Sequence, residues 1–159
     1  MANILITGAN GFIGSRLAAT MPVGSTVRLN GEDEVVERLV LVDHVVTDST
    51  AGPDGAEWTE GDLGAFVAAQ PGLFGSADAV FHLASATSGE CEAELDLGIN
   101  ANLLAGVALG RCLASAAHRP LLVFSSTLAI YGGTPEAPLP QSSTTPPTQR
   151  RRTAMDRKS

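Results

Sequence analysis

At 159 residues, 44% hydrophobic and rich in glycine (17), the chain is long enough for one domain with a substantial core, and its low aromatic content (4%) suits α/β packing. No apolar run reaches membrane-spanning length, Met1 leads straight into an apolar stretch with no secretory leader, and Cys91 and Cys112 fit neither a metal spacing nor a disulfide framework, so a cytoplasmic protein is expected. Residues 1–148 hold 16 acids and 5 bases, whereas residues 149–159 hold one acid and five bases; the acidic body argues against nucleic acid as a partner, and the lack of a spanning run against a membrane.

In chain order, Asn3–Thr7 reads as a buried parallel strand, short and without polar alternation. A helix over Phe12–Met21 follows, stopped by Pro22. Leu39–Val42 is a second strand ending in Asp43, and His44–Gly55 is loop-like. Glu57–Thr59 is a short third strand, Leu63–Gln70 a short helix ended by Pro71-Gly72, and Ala79–Leu83 a fourth strand. Cys91–Ala117 carries one long helical pattern, with Leu95, Ile99, Asn102, Leu103, Val107 and Leu113 recurring at about helical spacing, and with both cysteines expected to be buried in it. Pro120 ends that helix before a fifth strand, Leu121–Ser125. Strands alternate with helices, which predicts a doubly wound, Rossmann-type parallel sheet with helices on both faces.

Three glycines three residues apart (Gly8, Gly11, Gly14) link the first strand to the first helix. Gly8 permits the tight bend, Gly11 lets backbone N–H groups approach a pyrophosphate, and Gly14 lets the helix pack close to the strand. The phosphate then sits at a helix N-terminus, where free N–H groups and the dipole favour negative charge. Asp43, closing the second strand, stands where a dinucleotide-binding unit places its ribose-binding carboxylate. A carboxylate there repels a 2′-phosphate by about 4 kcal/mol at contact in a surface-like dielectric, which selects NAD over NADP. Asp62 has two readings: a partner for the adenine amino group, or an N-cap for the helix at Leu63. His82 reads as a packed supporting residue rather than a base, and Ser125 and Ser126 as strand-end hydroxyls.

Thr7-Gly8-x-x-Gly11-x-x-Gly14, Asp62, His82-Leu83-Ala84-Ser85, Asn102 and Ser125-Ser126-Thr127-x-x-x-Tyr131-Gly132 together resemble the extended short-chain dehydrogenase/reductases, the NAD-dependent epimerase/dehydratases. Val80–Ser85, Ser88-Gly89-Glu90, Asp96-Leu97-Gly98 and Val123–Gly133 resemble the D-erythronate dehydrogenase subgroup within it. The resemblance covers residues 3–148. It implies an NAD-dependent oxidoreductase acting on a sugar acid such as D-erythronate or on a nucleotide sugar. It adds Phe12, Ile13, Leu83, Ala84, Ser85 and Asn102 to the cofactor contacts, and makes Thr127 the catalytic hydroxyl that polarises the reacting carbonyl or alcohol.

The family's proton relay is a Tyr-x-x-x-Lys pair on the next helix, expected near Arg150 after Thr145-Pro146-Pro147-Thr148. No tyrosine follows Tyr131; Ala154 and Lys158 have the spacing, but alanine carries no proton. The simplest expectation is a C-terminally truncated Rossmann domain over residues 1–148 and a basic tail over 149–159 that has left the family's reading frame. A binding arm is the other reading of that tail. Truncation predicts Leu121–Ser125 at a bare sheet edge, open to self-association, and an NAD-binding fragment without turnover as the alternative to an enzyme.

Overall fold

The computed structural model of the chain describes residues 1–46 and 52–127. Its first strand, β1 (Ala2–Thr7), is buried on both faces, as an uninterrupted apolar run requires, and lies between two parallel neighbours. After the glycine turn comes α1 (Phe12–Ala19), then β2 (Thr26–Leu29) and β3 (Glu32–Asp43). β4 (Glu57–Glu60), α2 (Leu63–Ala69), α3 (Pro71–Gly75) and β5 (Ala79–His82) follow. The crossover to β6 (Leu121–Phe124) holds α4 (Ser88–Ala93), α5 (Leu95–Ile99), a π-helical turn (Asn100–Leu104) and α6 (Ala105–Ala114).

The parallel strands lie in the order β4-β3-β1-β5-β6. The chain winds outward from β1 through β3 to β4, then returns to the other side of β1 for β5 and β6. Strand order therefore reverses at β1, which opens a crevice at the carboxyl ends of the strands, the position where such sheets bind ligands. One face packs Ile4, Ile6, Leu39 and Leu41 against Ala18 and Met21 at the end of α1. The other packs Leu5, Val40, Val42 and Val80 against α2, α3 and α6 through Phe66, Val67, Phe74, Leu109 and Leu113. Phe74 is fully buried and meets Phe66 edge-on, with centroids 5.5 Å apart. Burying side chains of this size stabilises by about 1.5–3 kcal/mol each, more than the few tenths at stake in local propensity, so packing decides these short elements.

Five expectations change. The sheet is mixed, because β2 pairs antiparallel with the first third of β3 in a hairpin. The turn is Asn30-Gly31, both at positive φ (51° and 93°), the two-residue connection whose twist matches paired strands. Pro71-Gly72 opens α3 rather than only ending α2, since proline suits a first helical turn.

The pattern over Cys91–Ala117 is not one helix: it breaks at Glu94, whose backbone is extended (φ −142°, ψ 98°). The π-helical turn then adds residues to one turn and rotates everything after it. Ala105, Leu109 and Leu113 consequently face the core, while Leu95, Ile99, Leu103 and Val107 are exposed. Cys91 and Cys112 are half-buried rather than buried. Finally, Leu95–Ala114 is apolar and long enough to cross a membrane by length and composition, because its charges, Asp96 and Arg111, lie near its ends; α6 instead packs on α2 and α3.

Residues Met1–Phe124 form one compact unit. Of the second, Ser125–Ser159, only residues 125–127 are described; they are exposed and irregular. Tyr131, Thr145–Thr148, Ala154, Lys158 and the basic tail lie outside the described residues, as do residues 47–51 of the loop after Asp43.

Candidate functional site

A cleft of about 350 Å³ opens at the strand-order reversal, within the range of small-molecule sites. Its floor is the glycine turn. Gly8 has φ +71°, and a Cβ there would lie 2.6 Å from the backbone nitrogen of Ala84, so both the bend and the neighbouring loop require glycine. A Cβ at Gly14 would overlap the carbonyl oxygen of Gly8, so α1 rests directly on the turn. Gly11 is the N-cap of α1 and offers no side-chain cap; the first turn of the helix contains no acid. Free backbone N–H groups therefore face an electrically open position suited to an anion. Phe12 and Ile13 are exposed beside it, with the Arg16 guanidinium stacked 3.8 Å over the Phe12 ring.

Asp43 lines the cleft, but its carboxylate is buried and already engaged. Oδ2 accepts the N–H of Asn10 at 2.8 Å, and Oδ1 accepts the N–H groups of His44 at 2.8 Å and Val45 at 3.5 Å. The acid thus ties the end of β3 to the glycine turn. His44 Nδ1 also lies 3.1 Å from Oδ1, whereas Oδ2 has the Asn10 N–H as its partner and keeps acceptor capacity for a ribose hydroxyl. Asp62 is the N-cap of α2, accepting Ala65 N–H at 2.8 Å, and it lines the same cleft, so its two sequence readings are not exclusive.

The opposite wall is the segment Leu83–Ala86. Leu83 N–H donates to the Thr7 carbonyl at 3.0 Å. Asn102 grips Ala86 from the π-helical turn: its Oδ1 accepts Ala86 N–H at 2.7 Å and its Nδ2 donates to the Ala86 carbonyl at 3.0 Å. An asparagine inside a helix is otherwise unfavourable; here both halves of its amide replace a strand partner for Ala86. Leu83, Ala84 and Ser85 all line the cleft; Asn102 acts behind them. His82 is buried, and that burial pushes its imidazole below the ordinary value.

Among the cleft-lining residues that sequence reasoning missed are Asn10, His44, Ala86 and Glu90. Glu90 was legible as half of a capping box: Thr87 and Glu90 each cap the other's backbone N–H. The Thr87 N–H and hydroxyl hold the Glu90 carboxyl below the usual range. Thr127 is exposed, three residues beyond the end of β6. Among the described residues no cluster of His, Cys, Asp and Glu has metal-holding geometry.

A glycine turn that a single Cβ would fill, a strand-end acid and a crevice at the strand-order reversal define a Rossmann-type dinucleotide-binding protein. The sequence profile of the NAD dependent epimerase/dehydratase family matches residues 4–154, and the chain belongs to that family. It is 38% identical over 133 residues to a D-erythronate dehydrogenase from Cupriavidus necator, covering 82% of this chain and 40% of that one. It is 31% identical to a D-erythronate dehydrogenase from Haemophilus influenzae, over 90% of this chain and 44% of the relative. Among solved structures, a nucleoside-diphosphate-sugar epimerase from Agrobacterium tumefaciens matches with a TM-score of 0.63 at 30% identity, over 84% of this chain and 39% of that one. Uronate dehydrogenase from the same organism shares the fold (TM-score 0.63, 23% identity, 86% of this chain and 44% of that one). The chain therefore spans about two-fifths of the length of the curated relatives it matches.

Proposed function

We propose that this chain is the NAD-holding part of a sugar-acid oxidoreductase, with D-erythronate-like aldonates as the substrate class. The observation that carries the reading is the contact between the glycine turn and Leu83–Ala84, flanked by Asp43, in a chain similar along most of its length to two D-erythronate dehydrogenases. In this reading the N–H groups of Phe12 and Ile13 at the start of α1 hold the pyrophosphate, and Asp43 takes a ribose hydroxyl. Leu83–Ser85 form the wall along the cofactor, Asn102 fixes that wall through Ala86, and Thr127 hydrogen-bonds the reacting oxygen. NAD, when bound, supplies the hydride acceptor. Asp43, Asp62 and Glu90 surround the cleft with negative charge, which disfavours the extra phosphate of NADP. A cytoplasmic location accompanies this reading.

Calorimetric titration tests binding: NAD should give saturable heat, and NADP at the same concentration much less. Absence of heat at millimolar NAD removes the reading. NADH absorbance with a panel of aldonates tests turnover.

A second reading, cofactor binding without turnover, rests on the sequence itself: no tyrosine follows Tyr131, so the Tyr-x-x-x-Lys relay has no proton carrier within these 159 residues. NAD heat without NADH formation selects it. Losing a positioned acid or base costs roughly 10²–10⁴ in rate, which a sensitive absorbance assay resolves.

A further inference from the structure

Thr7 and His82 are direct partners across the parallel pair β1–β5. Thr7 Oγ1 lies 2.7 Å from His82 Nδ1, in an environment where Thr7 is 0% and His82 4% exposed. Thr7 Oγ1 also accepts the N–H of Ala84, at 3.4 Å. A hydroxyl has one proton to give and two lone pairs to fill. With Ala84 donating to one lone pair, the neutral imidazole either takes the Thr7 proton at Nδ1 or gives its own Nδ1 proton to the other lone pair, and its Nε2 faces α6 near Gly106. Burial of the ring favours the same neutral form.

The position of this pair is what gives it a consequence. Thr7 immediately precedes Gly8, and His82 immediately precedes Leu83. Gly8 and Ala84 are in backbone contact so close that no Cβ fits between them. The two walls of the cleft therefore start from one hydrogen-bonded pair, and their separation is set there. Thr7 lines the cleft, whereas His82 stands behind it.

We propose that Thr7 and His82 form a latch that fixes the spacing between the glycine turn and the Leu83–Ala86 wall, and that both are positioning residues for the dinucleotide. The proposal rests on the NAD reading above, but its hydrogen-bond geometry is testable without NAD. Valine at position 7 keeps the shape of threonine and removes the hydroxyl; serine keeps the hydroxyl.

The experiment has two arms on the full chain. In the first, NAD affinity is measured calorimetrically for wild type, Thr7→Ser, Thr7→Val, His82→Gln and the Thr7→Val/His82→Gln double variant, each at a temperature where circular dichroism shows it folded. Thr7→Ser should bind like wild type and Thr7→Val about tenfold more weakly, a change of about 1.4 kcal/mol. The loss in the double variant should be smaller than the sum of the two single losses, since both single changes break the Thr7–His82 bond. Folded Thr7→Val with wild-type affinity overturns the latch, as do additive losses in the double variant. In the second arm, ¹⁵N NMR of histidine-labelled wild type should show a neutral His82 ring at neutral pH whose Nδ1 signal is displaced by a hydrogen bond, whichever tautomer is present. An Nδ1 signal at the position of an unbonded imidazole nitrogen overturns the geometry, even if Thr7→Val proves too unstable for titration. Wild type that shows the bonded Nδ1 but binds no NAD keeps the bond and refutes its role in affinity, together with the NAD reading.

Discussion

The carboxylate of Asp43 accepts the backbone N–H of Asn10 at 2.8 Å, so the residue that ends β3 also holds the turn that follows β1. The acid has two consequences in one place: it orders the phosphate-facing loop and presents negative charge beside it. A variant that removes it therefore disturbs structure and ligand selectivity together. Asp43→Ala should lower stability by about 1–3 kcal/mol, because the part-buried hydrogen bonds from the Asn10 and His44 N–H groups lose their charged acceptor. NADP binding should not improve in proportion, since the loop itself loosens. Urea denaturation gives the first quantity and paired NAD/NADP titrations the second. A stable variant that binds NADP well would falsify the structural half of this role.

Gly14 permits no side chain. Its Cβ would overlap the Gly8 carbonyl, which belongs to backbone and cannot swing aside. Gly14→Ala should push α1 off the turn, abolish NAD heat and lower the melting temperature by several degrees. Retention of both wild-type values would mean the turn and helix separate easily.

Gly110 stands in contrast. It lies inside α6, exposed, with nothing near the place a Cβ would occupy. Gly110→Ala should stabilise the fold by about 0.5–1 kcal/mol, through helix propensity alone, and leave NAD affinity unchanged. A lowered urea midpoint would show that this helix face is covered in solution.

Stability should fall in mild acid through His82. Its imidazole in the fold is held below the ordinary value of 6.5 by burial. Above pH 6.5 it is neutral in both folded and unfolded chains and contributes no pH dependence. Below pH 6.5 the unfolded chain takes up a proton that the folded chain refuses, so the unfolded state is favoured increasingly until the folded pKa is passed. Urea midpoints at pH 8, 6 and 5 should decline in wild type more steeply than in His82→Gln. Parallel curves for the two proteins would assign the acid sensitivity to carboxylates instead.

Leu95, Leu103 and Leu104 on the long crossover and Leu122 and Phe124 on β6 are exposed, and β6 is an edge among the described strands. We expect concentration-dependent self-association, seen as a rising mass in sedimentation equilibrium. Phe124→Lys should weaken it if the edge strand is used, because a charge blunts edge pairing; Leu103→Glu should weaken it if the helix face is used. A monomer at all concentrations would contradict the expectation.

Several parts of this protein were legible in the chain itself. The run before Gly8, the three glycines, the acid closing β3 and the turn signals at Pro22 and Pro120 depend on local backbone rules, so their elements and order could be read directly. Even the hairpin carried a local mark, Asn30-Gly31. What pattern alone could not place was the phase of the crossover. A single π-helical turn at Asn100–Leu104 moves Ala105, Leu109 and Leu113 inward and leaves Leu95, Ile99 and Leu103 outside. That turn exists where Asn102 reaches Ala86, a contact between residues 16 apart. The same holds for Thr7 and His82, 75 residues apart, and for Asp43 and Asn10, 33 apart. Sequence determined which turn could hold a phosphate, because conformational freedom and periodicity are properties of neighbours along the chain. Only the tertiary structure decided which side chains fix the walls around it, because those bonds join residues that the fold alone makes neighbours.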